Sequence, residues 1–288
     1  MTASVSSATW RKTRISLGGV DTSTAPLRTQ RRRVLRVTLP GGSEHRADIL
    51  AVEEPLEIRV DGTPLTVTMR TPGDDLDLAA GFLYTEGLLP SLAEVREIRM
   101  CDVNVAAVDL VPGGHAVIPE RNFLTTSACG VCGKDSIDSV RVRSPFDVAA
   151  NPTRVPASLL ASLPDRLRSA QKLFASTGGL HAAGLFTTSG DLLVLREDVG
   201  RHNAVDKVAG WALRNATLPL TECVLQVSGR ASFELVQKAL MLGIPVMSAV
   251  SAPSSLAVSL AEEGGLTLAG FVRGPTMNIY TAEHRVLI

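Results

Sequence analysis

Apolar and polar residues alternate along short runs from Val34 onward, and turn residues separate these runs. Alternation with a period of two predicts strands over residues 34–39, 56–60 and 65–69. Asp61-Gly62 stands between the second and third runs, which predicts a tight hairpin turn. The beginning of the chain is therefore expected to be rich in β-structure.

The spacing becomes helical after Pro72 and then changes several times. A helix is predicted from there to near Gly87, followed by strands over 95–100 and 105–111. A second helix is predicted over 158–174, and Pro164 must kink or split it. A hairpin follows over 183–186 and 192–195, and then a helix over 203–213.

The last quarter of the chain has the most regular pattern. Strands are predicted over 223–227, 245–250 and 266–272, with helices over 233–242 and 255–262 between them. Strands and helices that alternate with short links indicate parallel βαβαβ units. We therefore expect a mixed α/β fold with a smaller β-rich N-terminal lobe. Four parts are predicted: a disordered basic tail (1–33), a β-rich lobe (34–120), a mobile loop (121–138) and an α/β lobe (139–288).

Composition and charge exclude several classes of protein. The chain has 288 residues, 45% of them hydrophobic, so it can bury a core of one or two domains. Because 29 basic residues balance 29 acidic ones, overall charge gives no reason to expect binding to nucleic acid or a membrane surface. No apolar run approaches the roughly 20 residues that span a bilayer. A transmembrane protein is not expected.

The first 33 residues differ in charge from the rest. Seven basic side chains against one acid give this segment +6, which leaves −6 for the remainder. We interpret it as a solvated N-terminus rather than a polyanion-binding arm, and it lacks the apolar region of a secretion signal. Four cysteines are too few for a disulfide scaffold in a chain of this length, which favours a reducing cytoplasm.

Three predicted strand ends carry residues suited to binding an anion. They are Ser228-Gly229-Arg230, the serine-rich segment 251–255, and the segment from Arg273 to Thr276. Ligands of open α/β sheets bind at the carboxyl ends of the strands, and helix N-termini with arginine favour phosphate. A phosphate or pyrophosphate ligand is therefore one interpretation. The other is that the serines are ordinary helix caps and the glycines ordinary turns.

Cys129 and Cys132 form the only close cysteine pair, in a glycine-rich segment beside Lys134. A nearby cation lowers the pKa of a thiol, and the thiolate is the reactive form. Such a sulfur could attack, be oxidised, carry a persulfide or bind a metal. Structural zinc is the chief rival, but a second pair of ligands at the usual spacing is missing from the sequence.

Polar residues also cluster over 196–203, between a predicted strand and a predicted helix. One interpretation is a solvated turn with a helix start at Asn203. The other is that Asp198, Arg201, His202 and Asn203 reach into the ligand crevice. His181, after two glycines, is expected to be a structural histidine rather than a general base.

Taken together, five segments resemble the FdhD family, the accessory sulfurtransferases of formate dehydrogenase. The matching segments are residues 127–133, 177–183, 197–207, 228–234, and 271–274 running to 278–280.

The resemblance implies a role in maturing a molybdenum or tungsten enzyme. Members of that family accept sulfur from a cysteine desulfurase and pass it to the bis(molybdopterin guanine dinucleotide) cofactor of formate dehydrogenase. By this resemblance Cys129 carries the persulfide and Cys132 assists. It also implies a fold of the cytidine-deaminase type and a homodimer, with no permanently bound metal. The cofactor-binding stretch that the resemblance implies is Phe271, Val272, Arg273, Gly274, Pro275 and Thr276, and the crevice argued from the residues adds Ser228, Gly229, Arg230 and His202.

Two alternatives remain open at this stage. The protein could hold the same cofactor without transferring sulfur, with the two cysteines as contact or metal ligands. It could also be a structural protein stabilised by zinc. Sulfur uptake by Cys129 distinguishes the first alternative from a sulfurtransferase, and stoichiometric zinc would support the second.

Overall fold

The computed structural model describes residues 26–117, 123–124, 142–215 and 218–288, with side chains for all but 123–124. It shows a mixed α/β chain with two main sheets, as predicted. The predicted loop 121–138 lies outside the described residues except for 123–124. None of the helices in the described ranges is long and apolar enough to cross a membrane.

The N-terminal lobe is a five-stranded sheet with a helix packed against it. Its hairpin turn is the predicted one, because Asp61 and Gly62 both have positive φ angles, as the tight hairpin turn requires. The sheet order is β5-β6-β3-β4-β7. The elements are β3 (Glu54–Val60), β4 (Thr63–Arg70), α1 (Asp75–Thr85), β5 (Val95–Asp102), β6 (Val105–Leu110) and β7 (Phe123–Leu124), with a short 3-10 turn at Leu92–Glu94.

Two long strands precede this lobe and form a separate antiparallel hairpin, β1 (Thr29–Thr38) and β2 (Gly42–Ala51). Residues 29–33 therefore belong to a strand, whereas the sequence analysis placed them in the disordered tail. Cross-strand hydrogen bonds can order a basic segment that has no core of its own. The apolar side chains of this hairpin stay largely in solvent, with Leu35 54% exposed.

The C-terminal lobe is built on a six-stranded sheet in the order β10-β9-β11-β12-β13-β14. The three central strands are parallel, which confirms the predicted βαβαβ arrangement. Antiparallel strands complete both sides of the sheet. The strands are β9 (His181–Thr187), β10 (Leu192–Asp198), β11 (Cys223–Val227), β12 (Val246–Ala249), β13 (Thr267–Arg273) and β14 (Thr276–Ile279). The short strands β8 (Val155–Pro156) and β15 (Val286–Leu287) pair with each other, and a 3-10 turn lies at Glu283–Arg285.

Helices cover both faces of this sheet. One face packs against α2 (Ala157–Ala170), which is followed by the short α3 (Lys172–Thr177). The other face packs against α4 (Arg201–Asn215), α5 (Phe233–Met241) and α6 (Ser255–Glu263). The sequence predicts a kink or split at Pro164. In the structure α2 continues through Pro164, and the break before α3 lies at Gln171. Four buried leucines hold α2 on the sheet, and this packing outweighs the one hydrogen bond that proline removes.

The two lobes meet where α1 crosses α4. Glycine faces the other helix on both sides: a Cβ atom on Gly81 would overlap the carbonyl oxygen of Asp206, and one on Gly210 that of Asp77. The helix backbones are therefore in direct contact. This close approach brings the N-terminal lobe against α4 and against the last turn of α5, which contains Lys238.

Candidate functional site

A cleft of about 650 Å³ opens at the carboxyl ends of the parallel strands β11 and β13. This is the place where open α/β sheets bind ligands, and the volume is in the usual range for a small-molecule site. One wall comes from the strand ends and the other from the end of α2 with α3. The lining residues are Pro164, Asp165, Leu167, Arg168, Gln171, Phe174, Gly178, Gly179, Leu180, His181, Ser228, Val250, Val272, Arg273 and Gly274.

Arg273 is the cationic side chain of the strand-end wall. Its Nε donates a hydrogen bond to the backbone oxygen of Val250 at 3.1 Å, while its two terminal nitrogens have no partner among the described residues. Phe271 and Gly274 have left-handed φ angles that shift the register between β13 and β14. This irregular turn holds an arginine fork at the cleft with its donors available to an anion.

Ser228 also lines the cleft, and its hydroxyl is tied to the neighbouring strand. The Ser228 Oγ accepts a hydrogen bond from the backbone N–H of Ala182 at 2.8 Å. Gly229, the next residue, lies beside the His181 imidazole. A Cβ atom built on Gly229 would be in van der Waals contact with that ring, 3.4 Å from its Nδ1 atom. Ser228 and Gly229 therefore close the strand end against β9.

His181 lies half-buried in the cleft among several cations. Burial lowers the pKa of His181, and the nearby charges of Arg201, His202 and Arg230 lower it further, while Asp198 opposes them. His181 is therefore a neutral imidazole at pH 7, which can donate one hydrogen bond and accept another.

The opposite wall is fixed by a buried carboxylate. Glu197 accepts hydrogen bonds from the backbone N–H groups of Leu173 at 3.0 Å and Phe174 at 2.7 Å. The backbone N–H groups in the first turn of a helix have no partner within the helix itself, so Glu197 caps the first turn of α3. The guanidinium carbon of Arg168 lies 4.0 Å from the centre of the Phe174 ring, and both side chains line the cleft.

The remaining residues implied as cofactor ligands lie beside the cleft rather than along it. Arg230, Phe271, Pro275 and Thr276 are exposed and are not among the lining side chains. His202 is buried, and its Nε2 lies 3.3 Å from the Ser232 Oγ and 3.6 Å from a Glu234 carboxylate oxygen.

At each of the two helix N-termini proposed as anion sites, one backbone N–H already bonds to a side chain of this protein. Glu234 lies in the first turn of α5. Burial opposes its ionisation, but hydrogen bonds from His202, its own backbone N–H and Ser232 lower the pKa of Glu234 well below the usual value. At α6, the Ser254 hydroxyl accepts a hydrogen bond from the backbone N–H of Ala257 at 3.2 Å. Ser254 is therefore an ordinary helix cap, as the second interpretation of the serines stated.

The polar cluster 196–203 has a role that neither interpretation anticipated. Asp198 is fully buried and pairs with the equally buried Lys207 at 2.7 Å. The Asp198 carboxylate also accepts hydrogen bonds from the backbone N–H of Thr71 and from the Asn203 amide, and Lys207 donates to the Thr71 carbonyl. These residues tie α4 to the end of β4, across the boundary between the lobes. The spacing of these residues does not reveal this role, because a run of charges before a helix is equally typical of a solvated turn and of a ligand-facing loop.

A second buried ionic group lies further along the same boundary. Lys238 of α5 contacts Glu86 at 2.9 Å and Asp206 at 2.8 Å, and the Thr85 hydroxyl bonds to both Lys238 and Asp206. Burial alone would lower the pKa of Lys238, but the two carboxylates raise it above its usual value. The ammonium therefore stays charged, with a compensating carboxylate in each lobe.

The predicted reactive cysteines, Cys129 and Cys132, lie outside the described residues. Of the other two thiols, Cys101 is exposed, while burial raises the pKa of Cys223 to about 12, with a smaller contribution from Glu222. Across the described part of the chain, no group of three or more His, Cys, Asp or Glu side chains is placed to hold a metal ion.

A family model, FdhD/NarQ, matches residues 51–287, which include both lobes and the cleft. The chain belongs to the FdhD/NarQ family. A relative from Streptomyces avermitilis named "Sulfur carrier protein FdhD" is 56% identical, over 90% of this chain and 96% of its own. A protein of the same name from Sulfolobus acidocaldarius is 47% identical, over 83% of this chain and 91% of its own.

A solved structure is also similar. A crystal structure from Desulfotalea psychrophila, of a protein proposed to be a formate dehydrogenase accessory protein, matches with a TM-score of 0.73 at 26% identity. The match covers 91% of this chain and all of the other. The family membership expected from the five segments is therefore confirmed, as is the mixed α/β fold. The cytidine-deaminase type of the core stays a prediction.

Proposed function

We propose that this protein is a sulfur carrier that accepts sulfur from a cysteine desulfurase and delivers it to a bis(molybdopterin guanine dinucleotide) cofactor for formate dehydrogenase. The observation that carries the proposal is the cleft at the strand ends, where Arg273 and Arg168 offer positive charge beside a neutral His181. A pyrophosphate-containing ligand matches this charge and shape. The names of the relatives support the sulfur half of the proposal.

Sulfur uptake is assigned to Cys129. Its thiolate attacks the outer sulfur of the desulfurase persulfide, the S–S bond of that persulfide breaks, and the desulfurase thiolate leaves. The product is a persulfide on Cys129. No net oxidation occurs, because one S–S bond forms as another breaks.

Release of the sulfur needs two electrons if it leaves as hydrosulfide, and Cys132 is placed in sequence to supply them with Cys129. The Cys132 thiolate attacks the inner sulfur of the persulfide, forms a Cys129–Cys132 disulfide and releases hydrosulfide for the cofactor. A cellular dithiol then reduces the disulfide. Cys132 is thus a resolving thiol in this scheme.

Intact mass spectrometry after incubation with a cysteine desulfurase and cysteine tests the uptake step. Because Cys101 is an exposed thiol, the measurement is made in a Cys101→Ser background. We expect a reductant-labile gain of about 32 Da, one sulfur atom, which Cys129→Ala abolishes. Cys132→Ala should retain the added sulfur longer. Added sulfur that survives Cys129→Ala would refute the assignment.

Binding of GDP, which represents half of the dinucleotide, tests the cofactor half separately. The sulfur carrier is expected to bind GDP in the Cys129→Ala variant as well as in the wild type, because the substitution leaves the cationic side chains of the cleft, Arg168 and Arg273, unchanged. If GDP binds but no sulfur is taken up, the protein is a cofactor-holding chaperone and not a sulfurtransferase.

A further inference from the structure

The β1–β2 hairpin is an element that the described part of the fold leaves uncovered. Its two strands have ten residues each, none of them buried, and Leu35 and Val37 are 54% and 60% exposed. No other strand in the described ranges pairs with either edge of the hairpin. A two-stranded hairpin alone in water is marginally stable, because nothing covers its faces. This hairpin therefore has the properties of an arm that a partner completes.

The base of the hairpin is fixed beside the cleft. The Arg28 Nε donates a hydrogen bond to the Pro72 carbonyl oxygen at 2.8 Å, and a terminal nitrogen of Arg28 pairs with Asp74 at 2.5 Å. Asp74 also contacts Arg196 of β10 at 3.4 Å. β2 itself lies against α3, the helix that contributes Phe174 to the cleft wall. A protein held by this arm is therefore brought to the cleft side of the molecule.

The two faces of the hairpin differ in charge. Side chains alternate along a strand, and residues directly opposite each other on paired strands share a face. One face, which we call the basic face, consists of Arg31, Arg33, Leu35, Val37, Ser43, His45, Ala47 and Ile49. It contains no acidic residue, because Glu44 and Asp48, the only acids of the two strands, lie on the opposite face. Asp48 contacts Arg46 there at 3.7 Å.

The basic face combines charge with exposed apolar surface. Arg31 and Arg33 lie toward its base, whereas Leu35 and Val37 lie toward the turn. Interfaces between proteins have an apolar centre surrounded by polar and charged groups, whereas interfaces with nucleic acid are far more positively charged. A protein surface with an acidic patch beside an apolar patch therefore complements this face.

The same hairpin on a second copy of the chain does not complement the basic face. In a two-fold dimer joined by this face, the surface meets itself, so the arginines of the two copies would oppose each other. Like charges opposed across an interface cost free energy. The complementary surface must therefore be a different one.

We infer that the basic face of the hairpin docks formate dehydrogenase, which meets it with an acidic patch beside an apolar one. The inference rests on the proposed function, in which that enzyme receives the cofactor. A recipient of the cofactor must come to the cleft, and the hairpin is anchored at the cleft wall. Docking on the hairpin thus holds the recipient enzyme close to the place that the cofactor leaves.

Biolayer interferometry with immobilised, cofactor-free formate dehydrogenase from the same organism tests the inference on the full chain. Complementary charges speed association, and salt screens them. We therefore expect the wild type to bind, with an association rate that falls as the salt concentration rises from about 50 to about 300 mM.

Arg31→Gln combined with Arg33→Gln removes two charges from the basic face. We expect the affinity for the enzyme to fall about 10-fold or more, mainly through slower association. Arg32→Gln combined with Arg36→Gln is the matched control, because it removes two charges of the same kind from the opposite face of the same strand. The control should change the affinity by no more than about threefold.

Leu35→Thr combined with Val37→Thr tests the apolar part of the basic face. Both side chains are largely exposed, and threonine has a branched side chain that strands favour, so the free energy of unfolding should not change. The affinity for the enzyme should fall about 10-fold or more, through faster dissociation. Leu50 is 42% exposed on the opposite face, so Leu50→Thr is the control and should bind as the wild type does.

Sulfur uptake on Cys129 and binding of GDP are measured on the same variants. Both should match the wild type, because the substitutions lie outside the cleft and far along the chain from Cys129. A variant that loses only the enzyme is thereby distinguished from one that loses the proposed sulfur or cofactor chemistry.

Four results would overturn the docking role of the hairpin. The first is the same affinity for the enzyme in the charge variants of the two faces. The second is a wild type that takes up sulfur and binds GDP without binding the enzyme, which leaves those two steps of the proposed function standing. The third is a smaller mass by light scattering for the basic-face variants, which assigns the face to a second copy of the chain. The fourth is tighter binding of a DNA duplex than of the enzyme at the same salt concentration.

Discussion

The boundary between the two lobes and the cleft both contain charged side chains, but they differ in how these are paired. At the boundary, Asp198 and Lys207 are fully buried and satisfied by each other and by the backbone. In the cleft, Arg273 and Gln171 keep polar groups without partners among the described residues. Paired buried charge fixes one arrangement of the chain, whereas unpaired polar groups are available to a ligand.

The segments that resemble the family serve two different roles: some hold the lobes together and others line the cleft. Residues 197–207 hold the lobes together through Asp198, Asn203 and Lys207 and anchor α3 through Glu197. The segments around Ser228 and Arg273 form the wall that a ligand would touch. A motif rich in charge can therefore belong to the frame that positions a site rather than to the site.

Removing one partner of the buried pair should give the largest effect. Lys207→Met leaves the Asp198 carboxylate buried without its cation, which should lower the free energy of unfolding by about 3–5 kcal/mol. Urea unfolding measures this change. Arg168→Met, which removes a cation from the cleft, should change stability by no more than about 0.5 kcal/mol. If Lys207→Met and Arg168→Met lowered the free energy of unfolding equally, the charged residues of the lobe boundary and of the cleft would not differ in their contribution to stability.

The close crossing of α1 and α4 gives the next largest effect. A Cβ atom on Gly210 would overlap the Asp77 carbonyl, so Gly210→Ala must push the helices apart at a cost of about 1–3 kcal/mol. Thermal and urea unfolding report the loss. Gly179→Ala is the control, because the Thr177 oxygen at 3.9 Å is the only neighbour that the described residues place within 4 Å of its new methyl group. A tolerated Gly210→Ala would mean that the lobes do not meet as described.

A cleft residue should show the opposite behaviour, with binding lost and stability kept. Arg273→Gln removes the guanidinium fork, and GDP affinity should fall roughly 10-fold, or about 1.4 kcal/mol, by calorimetry. The free energy of unfolding should stay within about 0.5 kcal/mol of the wild type. Arg154→Gln serves as control, since Arg154 is an exposed arginine outside the lining of the cleft. If the control variant lost as much GDP affinity as Arg273→Gln, the effect would come from the loss of one positive charge anywhere on the protein and not from contacts made by Arg273.

The smallest effect concerns pH. The folded state lowers the pKa of His181 below the unfolded value of 6.5, so the unfolded chain binds the proton more tightly. The contribution of His181 to the free energy of unfolding is therefore fully present above pH 6.5, and it is lost as the pH falls below that value. Glu234, whose pKa is also lowered, stays ionised throughout pH 5.5–8 and adds no slope there. His181→Gln should reduce the slope of unfolding free energy against pH in this range.

Much of the fold follows from local pattern. The Asp61-Gly62 turn, the strand at residues 223–227 and the alternating helices and strands after it lie where periodicity predicted them. Local rules failed at Pro164, which α2 tolerates because its leucines pack on the sheet, and at residues 29–33, which pair with β2. In both places contacts distant in sequence decide the outcome.

The site was predicted in part. Ser228, Val272, Arg273 and Gly274 line the cleft as the strand-end argument and the resemblance placed them, whereas Asp165, Arg168, Gln171 and Phe174 were not singled out. Their spacing of three residues was visible in the sequence. This spacing is, however, equally typical of the solvent-exposed side of a surface helix. Only the structure shows that these residues face the strand ends across the cleft.

The sequence by itself determined the family, the alternating strands and helices of residues 223–272, and the strand ends at which a ligand would bind, because these depend on residue spacing and on motifs. Only the tertiary structure decided which charged residues are paired. Asp198 and Lys207 are nine residues apart and both bond to the backbone of Thr71 in the other lobe, while the Gln171 amide has no hydrogen-bond partner among the described residues. Charge pairing depends on distances of a few ångströms between segments far apart in the chain, and these distances exist only once the lobes have packed.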